Sequence, residues 1–300
     1  MIHWDDVEPQ RRDLGHLHGE WTDLGRAAGS VGVGVRRVRL APGEVPTPAH
    51  VHGADEEIFF VIAGSGLSWQ DGETYEVRAR DCLVHLPLGK AHTLRAGHEG
   101  LDVLAYGHRT RIGGGYLPNA GIYWLFPAWA EAGGGAHPFE REPEIDWPAP
   151  SPRPPNIVNV DEVEAETWED RDSGSTVHAL GAAAGSVRTG FHYEVVPPGK
   201  LNAPPHMHSA EEEIFVVLDG EGTLLLADEE HKLCRGHVVA FPPGKRVAHT
   251  FRADDKLLTL LVYGTREPND ICYYPRSNTF SLRGIGLIGR VAKLSWDAVW

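Results

Sequence analysis

Apolar residues along most of this chain come in short runs or alternate with polar ones, and a Gly or Pro closes a run about every ten residues. VGVGVRRVRL (31–40), EEIFFVIAG (56–64), DCLVHLP (81–87), HTLRA (92–96) and LDVLAYG (101–107) show the pattern. That spacing predicts short strands folded as an all-β sandwich or barrel. No long segment shows a helical apolar period before the region around Trp124 to Glu131. The first 23 or so residues read as polar and irregular, anchored to the body by Trp4 and Trp21.

The pattern occurs twice. LGRAAGSVGVGVRRVRLAPGEVPTPAHVHGADEEIFFVIAGSG, from Leu24, aligns without a gap to LGAAAGSVRTGFHYEVVPPGKLNAPPHMHSAEEEIFVVLDGEG, from Leu180, so that His50 and His206, Glu57 and Glu213, and Gly64 and Gly220 all stand 156 positions apart. A repeat of this length means a duplicated domain. Residues 137–156 are dense in proline, which removes backbone donors and favours extended chain, so they read as a semi-rigid linker. The predicted plan is an N-terminal domain at 1–136, the linker, and a C-terminal domain at 157–300.

Composition narrows the class. With 300 residues, 41% hydrophobic, the chain is long enough for two cores. A formal net charge of −14 argues against nucleic acid or an anionic membrane as partner, because those surfaces require clustered Lys and Arg. No apolar run is long enough to span a bilayer, and acidic residues occupy the start where a signal peptide would be apolar, so a cytoplasmic location is expected. Cys82, Cys234 and Cys272 are odd in number and lack a CxxC, and are expected as core thiols.

His50-x-His52 and His206-x-His208 each place two imidazoles on one face of an extended segment, as metal ligands require. Glu57 follows His52 at an odd spacing, so the chain must turn between them. Glu57, Phe59 and Val61 then share one strand face and Ile58 and Phe60 the other. Glu56, Glu211 and Glu212 are alternative carboxylates; Glu57 and Glu213 are preferred because their spacing to the histidine pair and to the next glycine is the same in both halves. His16-x-His18 is also a histidine pair, but no acid-led strand follows it, and it reads as surface histidines. His85 and His192 lack a repeat partner, since alignment sets Ala240 and Arg36 opposite them; each is a packed histidine or a pocket acid or base.

Gly43-x6-His50-x-His52-x4-Glu57-x6-Gly64 followed by Asp81-x5-Pro87-x-Gly89-x2-His92, with its second copy through Gly199, His206, His208, Glu213, Gly220, Gly236, Pro242, Gly244 and His249, closely resembles the two motifs of the cupin superfamily. The resemblance implies two tandem double-stranded β-helix (jelly-roll) barrels, a bicupin. It also implies one divalent transition metal per domain, Fe, Mn, Ni, Co or Zn, held by His50, His52, Glu57 and His92 in the first and by His206, His208, Glu213 and His249 in the second. His249 follows two additional residues, Arg246 and Val247, an even insertion that would spare its facing. Ala96 and Ala253 stand where the family often has asparagine.

Three neutral imidazoles and one carboxylate leave a divalent cation about one positive charge, suited to an anionic substrate or to activating water. The family resemblance makes a dioxygenase acting on a small chelating, aromatic or enolic substrate the leading expectation. The alternatives are a non-redox isomerase, decarboxylase or lyase, and a non-enzymatic binding protein with structural metals. A small molecule is the expected partner, and edge strands with the C-terminal SLRGIGLIGRVAKLSW segment leave room for a homo-oligomer.

Overall fold

The computed structural model describes residues 1–109, 113–125, 128–130 and 136–292. The chain forms two all-β barrels. The principal sheet of the first runs, edge to edge, through Ile157–Asn159, Asp81–His85, Glu57–Gln70, His92–His108, Val33–Leu40, Leu17–Asp23 and Gln10–Leu14; Glu73–Arg78 pairs onto Glu57–Gln70. The second repeats this as Ile2–His3, His237–Phe241, Glu213–Asp219, Leu258–Thr265, Thr189–Val196, Ser173–His178 and Ala165–Asp170. Smaller sheets complete the barrels, and Val51–His52 and Met207–His208 belong to these.

Each barrel's outermost short strand comes from the other half of the chain. Ile2 and His3 pair with Val238 and His237, while Ile157, Val158 and Asn159 pair with Leu83, Cys82 and Asp81. The first 23 residues are therefore largely strands, contrary to the irregular structure expected of them. Polar side chains concealed Gln10–Leu14, which is exposed at the sheet edge beside the more buried Leu17–Asp23. Trp4 and Trp21 are buried as anticipated.

Strand alternation divides the apolar side chains between the barrel interiors and a core shared by the two barrels. From Glu57–Gln70, Phe59 and Val61 enter the interior of the first barrel, and Ile58 and Phe60 enter a core shared between the barrels. In the repeat, Phe215 and Val217 face the second interior, while Ile214 and Val216 meet the shared core. Each fully buried side chain of this kind contributes roughly 1.5–3 kcal/mol. The shared core makes the pair one packed body.

Glu56 and Glu212 fasten that interface. Glu56 is fully buried and accepts hydrogen bonds from Ser186 Oγ at 2.8 Å, Val187 N at 2.8 Å, Arg188 N at 2.9 Å and Thr189 Oγ1 at 3.0 Å. Glu212 returns the contact, accepting from Val31 N at 2.7 Å and from Gly32 N. These alternative glutamates lie on the opposite strand face from Glu57 and Glu213, so each grips the turn of the other barrel.

The proline-rich segment lies along the first barrel. Trp69 Nε1 donates to Asp146 O at 3.1 Å, Thr74 Oγ1 to Pro148 O at 2.6 Å, and Arg153 forks onto the buried Asp81 at 2.9 and 2.6 Å. Gly64 and Gly220 hold φ of 82° and 85°, and a Cβ there would meet the Gly100 or Leu257 carbonyl oxygen at 2.2 or 2.1 Å. Only glycine fits.

Two expectations are corrected. The region near Trp124 forms strands Ile122–Leu125 and Ala128–Ala130, its short apolar run being claimed by sheet pairing; Glu131 lies outside the described residues. Cys234 is exposed at a strand end, whereas Cys82 and Cys272 are buried. In the C-terminal segment, Leu287–Arg290 is a sheet edge with Ile285 and Ile288 exposed, and 293–296 lie outside the described residues.

Removing the Glu56 carboxylate strands two backbone and two hydroxyl donors. Glu56→Ala should lower unfolding free energy by about 2–4 kcal/mol in urea titrations, while Glu76→Ala on the exposed surface stays within about 0.5 kcal/mol. Equal shifts would show that the clamp contributes nothing.

Candidate metal centres

Both centres form where a short strand meets two long ones. His50 bridges to His92, and His206 to His249, across isolated antiparallel contacts, while Glu57 and Glu213 open the strands that carry them inward. In the first barrel the Glu57 Oε2 atom lies 2.9 Å from His92 Nε2, 3.3 Å from His52 Nε2 and 3.5 Å from His50 Nε2. In the second, Glu213 Oε2 lies 3.0 Å from His249 Nε2, 3.4 Å from His208 Nε2 and 3.7 Å from His206 Nε2. The four residues the sequence singled out in the first barrel thus form one close group; in the second, His206, Glu213 and His249 do, and His208 joins them through its contact with Glu213.

These donors fit a cation for an electronic reason. His50 Nδ1 lies 2.9 Å from Pro48 O, His92 Nδ1 3.1 Å from Lys90 O, and His206 Nδ1 2.8 Å from Pro204 O. A carbonyl only accepts, so each Nδ1 carries the hydrogen and the neutral ring turns an Nε2 lone pair toward a carboxylate oxygen. Lone pairs converging on an anion repel unless a proton or metal stands among them. His52 Nε2 is buried with no hydrogen-bond partner. Burial opposes the charge on Glu57 and Glu213, but the surrounding imidazoles outweigh it and hold both carboxyls well below their ordinary range.

Two ring stacks support the third histidine of each set. His85 lies flat on His92 and Phe241 flat on His249, each pair with centroids 3.7 Å apart and planes within 7°. Burial and the adjacent His92 push His85 well below its ordinary value, so it is a neutral packing ring. Phe241 is its structural counterpart, because His85 pairs with Glu57 as Phe241 pairs with Glu213. Sequence alignment set Ala240 there, one position off.

The same register changes the account of His249. Leu88 N donates to His52 O, and Gly244 N to His208 O, so the offset of 156 persists through the turn's start. Only one residue is added before His249, and Arg246 takes a left-handed φ of 55°. The chain turns here, so His249 is aimed by its bridge to His206 and not by strand parity.

Strand Thr189–Val196 turns Phe191 toward the shared core and Val196 into the second barrel. His192 and Glu194 share the face of Val196 and line a cavity of about 370 Å³ beside Glu213, together with Arg266 and Arg283. Burial drives the Glu194 carboxyl up to about 7 against the hydrogen bonds it accepts from Ser175 Oγ at 2.6 Å and Asn202 Nδ2 at 3.3 Å. Burial, helped by Arg266, lowers His192. The corresponding cavity beside Glu57, about 130 Å³, is lined by Arg36 and Arg109. Arg109 is engaged, reaching Asp23 Oδ1 at 3.2 Å and Ser30 O at 3.0 Å. Ala179 replaces Asp23 in the second half, and Arg266 has no ion-pair partner among the described residues.

Other groups surround the second centre. Asp270 accepts from His208 Nδ1 at 2.7 Å, outweighing burial and raising that imidazole to about 11 in the absence of a metal. A carboxylate behind a ligating ring orients it and raises its basicity. Arg246 and Val247 line a further cavity of about 350 Å³ that reaches His208 and His249. Glu211 is tied to Arg283 at 2.7 Å. His18 meets Asp13 at 3.0 Å on the surface, away from both centres. Glu194, Arg266 and Asp270 escaped sequence reasoning because they are not among the repeated ligand positions; a search for charged residues opposite Val38 and Gly113 would have exposed Glu194 and Asp270, whereas Arg266 has an arginine, Arg109, as its counterpart.

The family profile described as Cupin domain matches residues 36–105 and 192–263. No curated protein matches the chain significantly. A single-substitution variant of the Bacillus subtilis oxalate decarboxylase is similar in structure, with a TM-score of 0.61 and 16% identity over 90% of this chain and 78% of that one. The Lactobacillus farciminis oxalate decarboxylase in complex with formate gives 0.59 and 14% over 90% and 87%. Another Bacillus subtilis decarboxylase structure, from work on its Mn(II) centres, gives 0.60 and 16% over 90% and 78%. Among the described residues, no helix is long and apolar enough to cross a membrane.

If the two centres hold separate ions, His206→Ala should remove one metal per chain and leave the other. Elemental analysis of the purified variant checks this, and unchanged content would refute the ligand set. Protons compete for the same Nε2 lone pairs, so bound metal should fall as pH falls.

Proposed function

The chain belongs to the cupin superfamily as a bicupin, and on that premise we propose that it is a metal-dependent, non-redox lyase that decarboxylates a small carboxylic acid at its C-terminal centre. The observation that carries this reading is Arg266: a guanidinium without a carboxylate partner among the described residues, lining the cavity that contains Glu213, His192 and Glu194. Arginine matches a carboxylate with two parallel donors. The similarity to oxalate decarboxylases supports the reaction class.

His206, His208, Glu213 and His249 would hold a divalent cation, which would supply Lewis acidity to the substrate. Arg266 attracts the substrate anion and fixes its orientation. Glu194, with a carboxyl raised to about 7, retains a proton at neutral pH and can give it to the carbon that loses carbon dioxide. Ser175 and Asn202 hold that carboxyl in place. His192, kept neutral by burial, limits the positive charge beside Arg266. Phe241 and Phe215 pack against His249 and border the site with apolar surface.

A dioxygenase is the competing reading, because three imidazoles and a carboxylate suit iron as well as manganese. The balance of gases separates the two. Assayed with oxalate and with short keto acids, the protein should release carbon dioxide without net oxygen consumption; oxygen uptake matching turnover would overturn the lyase in favour of the oxygenase.

Glu194→Gln should lower kcat by about 10²-fold. The wild-type rate should also fall as pH rises through about 7, where Glu194 loses its proton. Stability gives an independent readout. A carboxyl whose folded value lies above its unfolded value favours the fold at low pH and loses that advantage as pH rises from about 4.5 to about 7. Glu194→Gln should therefore gain stability relative to wild type between those values, and parallel pH–stability curves would remove Glu194 from this role.

A further inference from the structure

The strand beside the histidine pair differs between the two barrels. In the second, Ile271–Tyr274 runs antiparallel to Met207–His208, with Cys272 opposite His208 and Tyr273 opposite Met207. In the first, Gly115 stands opposite His52 and Tyr116 opposite Val51. Directly opposed residues project to the same face, and residues two apart share it. Asp270, Cys272 and Tyr274 therefore occupy the positions that Gly113, Gly115 and Leu117 hold in the first barrel. One face delivers a carboxylate, a thiol and a phenol, and its counterpart delivers none.

All three groups reach the centre. Asp270 Oδ2 lies 2.7 Å from His208 Nδ1, and the Tyr274 ring centroid lies 5.8 Å from that of His206. The Cys272 sulfur and one ring nitrogen each of His206 and His208 lie within 4.8 Å of one another, a group that shares His206 with the group of His206, Glu213 and His249. Cys272 is 7% exposed, with its thiol shielded from bulk water. Metal bonds of about 2.0–2.1 Å to nitrogen and 2.3 Å to sulfur bridge such a group after small side-chain movements.

We propose that Cys272 is a thiolate ligand of the metal in the C-terminal barrel, so that the chain carries two chemically different centres: three histidines and a glutamate in the first, and the same set plus a thiolate in the second. This rests on the reading of the second centre as a metal site. Binding releases the thiol proton to solvent as the sulfur–metal bond forms. A divalent ion bound by Glu213 and Cys272 carries no net charge, against about one positive charge at the first centre. Attraction of an anionic substrate then passes from the metal to Arg266, which has no carboxylate partner among the described residues. With the thiolate added, the donor set of the second centre would favour softer metals than that of the first.

Cobalt(II) tests this in the full chain, because thiolate coordination adds a near-ultraviolet charge-transfer band that nitrogen and oxygen ligands do not. Wild-type protein holding two cobalt ions should show the band. Cys272→Ser and Cys272→Ala should lose it, and so should His206→Ala. His50→Ala should keep it while losing one cobalt, and Cys234→Ser should keep it unchanged. A protein with two cobalt ions and no band, or a band surviving both Cys272 substitutions, overturns the proposal while leaving the metal reading intact. A second barrel that takes up no cobalt overturns both.

Discussion

Two neighbouring side chains cannot point the same way along a strand, and this molecule places a carboxylate on each side of that rule. Glu57 faces the interior of its barrel and meets three imidazoles; Glu56 faces outward and is gripped by the turn at Ser186–Thr189 of the other barrel. Glu213 and Glu212 repeat the arrangement with the turn at Val31 and Gly32. Each candidate ligand is thus covalently next to an interdomain clamp. The alternation is continued by Phe59 and Ile58, then Val61 and Phe60, which divide between one barrel's interior and the shared core.

This constraint explains why the duplication is kept within one packed body. Neither barrel completes its principal sheet alone, since each borrows a short strand from the other half. Neither satisfies its own buried Glu56 or Glu212. Burying an unpaired carboxylate costs several kcal/mol, whereas four donors make the same group a fastening. Separating the barrels would strand both charges and expose the shared apolar core. The two centres are accordingly held by one rigid interface, while remaining free to differ in what lines them.

They do differ, and part of the difference reaches the interface, since Arg109 bonds Ser30 beside the turn that grips Glu212. The first centre has His85 stacked beneath His92, an arginine occupied by Asp23 and a small cavity. The second has Phe241 in place of that histidine, Arg266 with no such partner among the described residues, a raised Glu194 and the Asp270-x-Cys272-x-Tyr274 face. Duplicated ligands with divergent surroundings are what a specialised second site requires. Electrostatics there depends on which arginine is already neutralised, and a single replacement, Ala179 for Asp23, decides it.

The repeat at an offset of 156, the histidine pairs, the inward facing of Glu57 and Glu213 and the glycines that must approach a carbonyl were all legible in the amino acids, because each rests on local spacing, strand period or backbone sterics. The barrel architecture followed from the same pattern. What only the tertiary structure decided involves partners far apart in sequence: the exchange of Ile2–His3 and Ile157–Asn159 between barrels, the role of Glu56 and Glu212 as clamps, the equivalence of His85 with Phe241, and the single added residue before His249. Arg109 and Arg266 occupy matching positions, and only the contact of Asp23 with Arg109, with Ala179 in the place of Asp23 in the other half, tells them apart. Cys272 read as a core thiol until strand pairing set it against His208. Sequence periodicity states which way a side chain points, but what it meets is set by long-range packing.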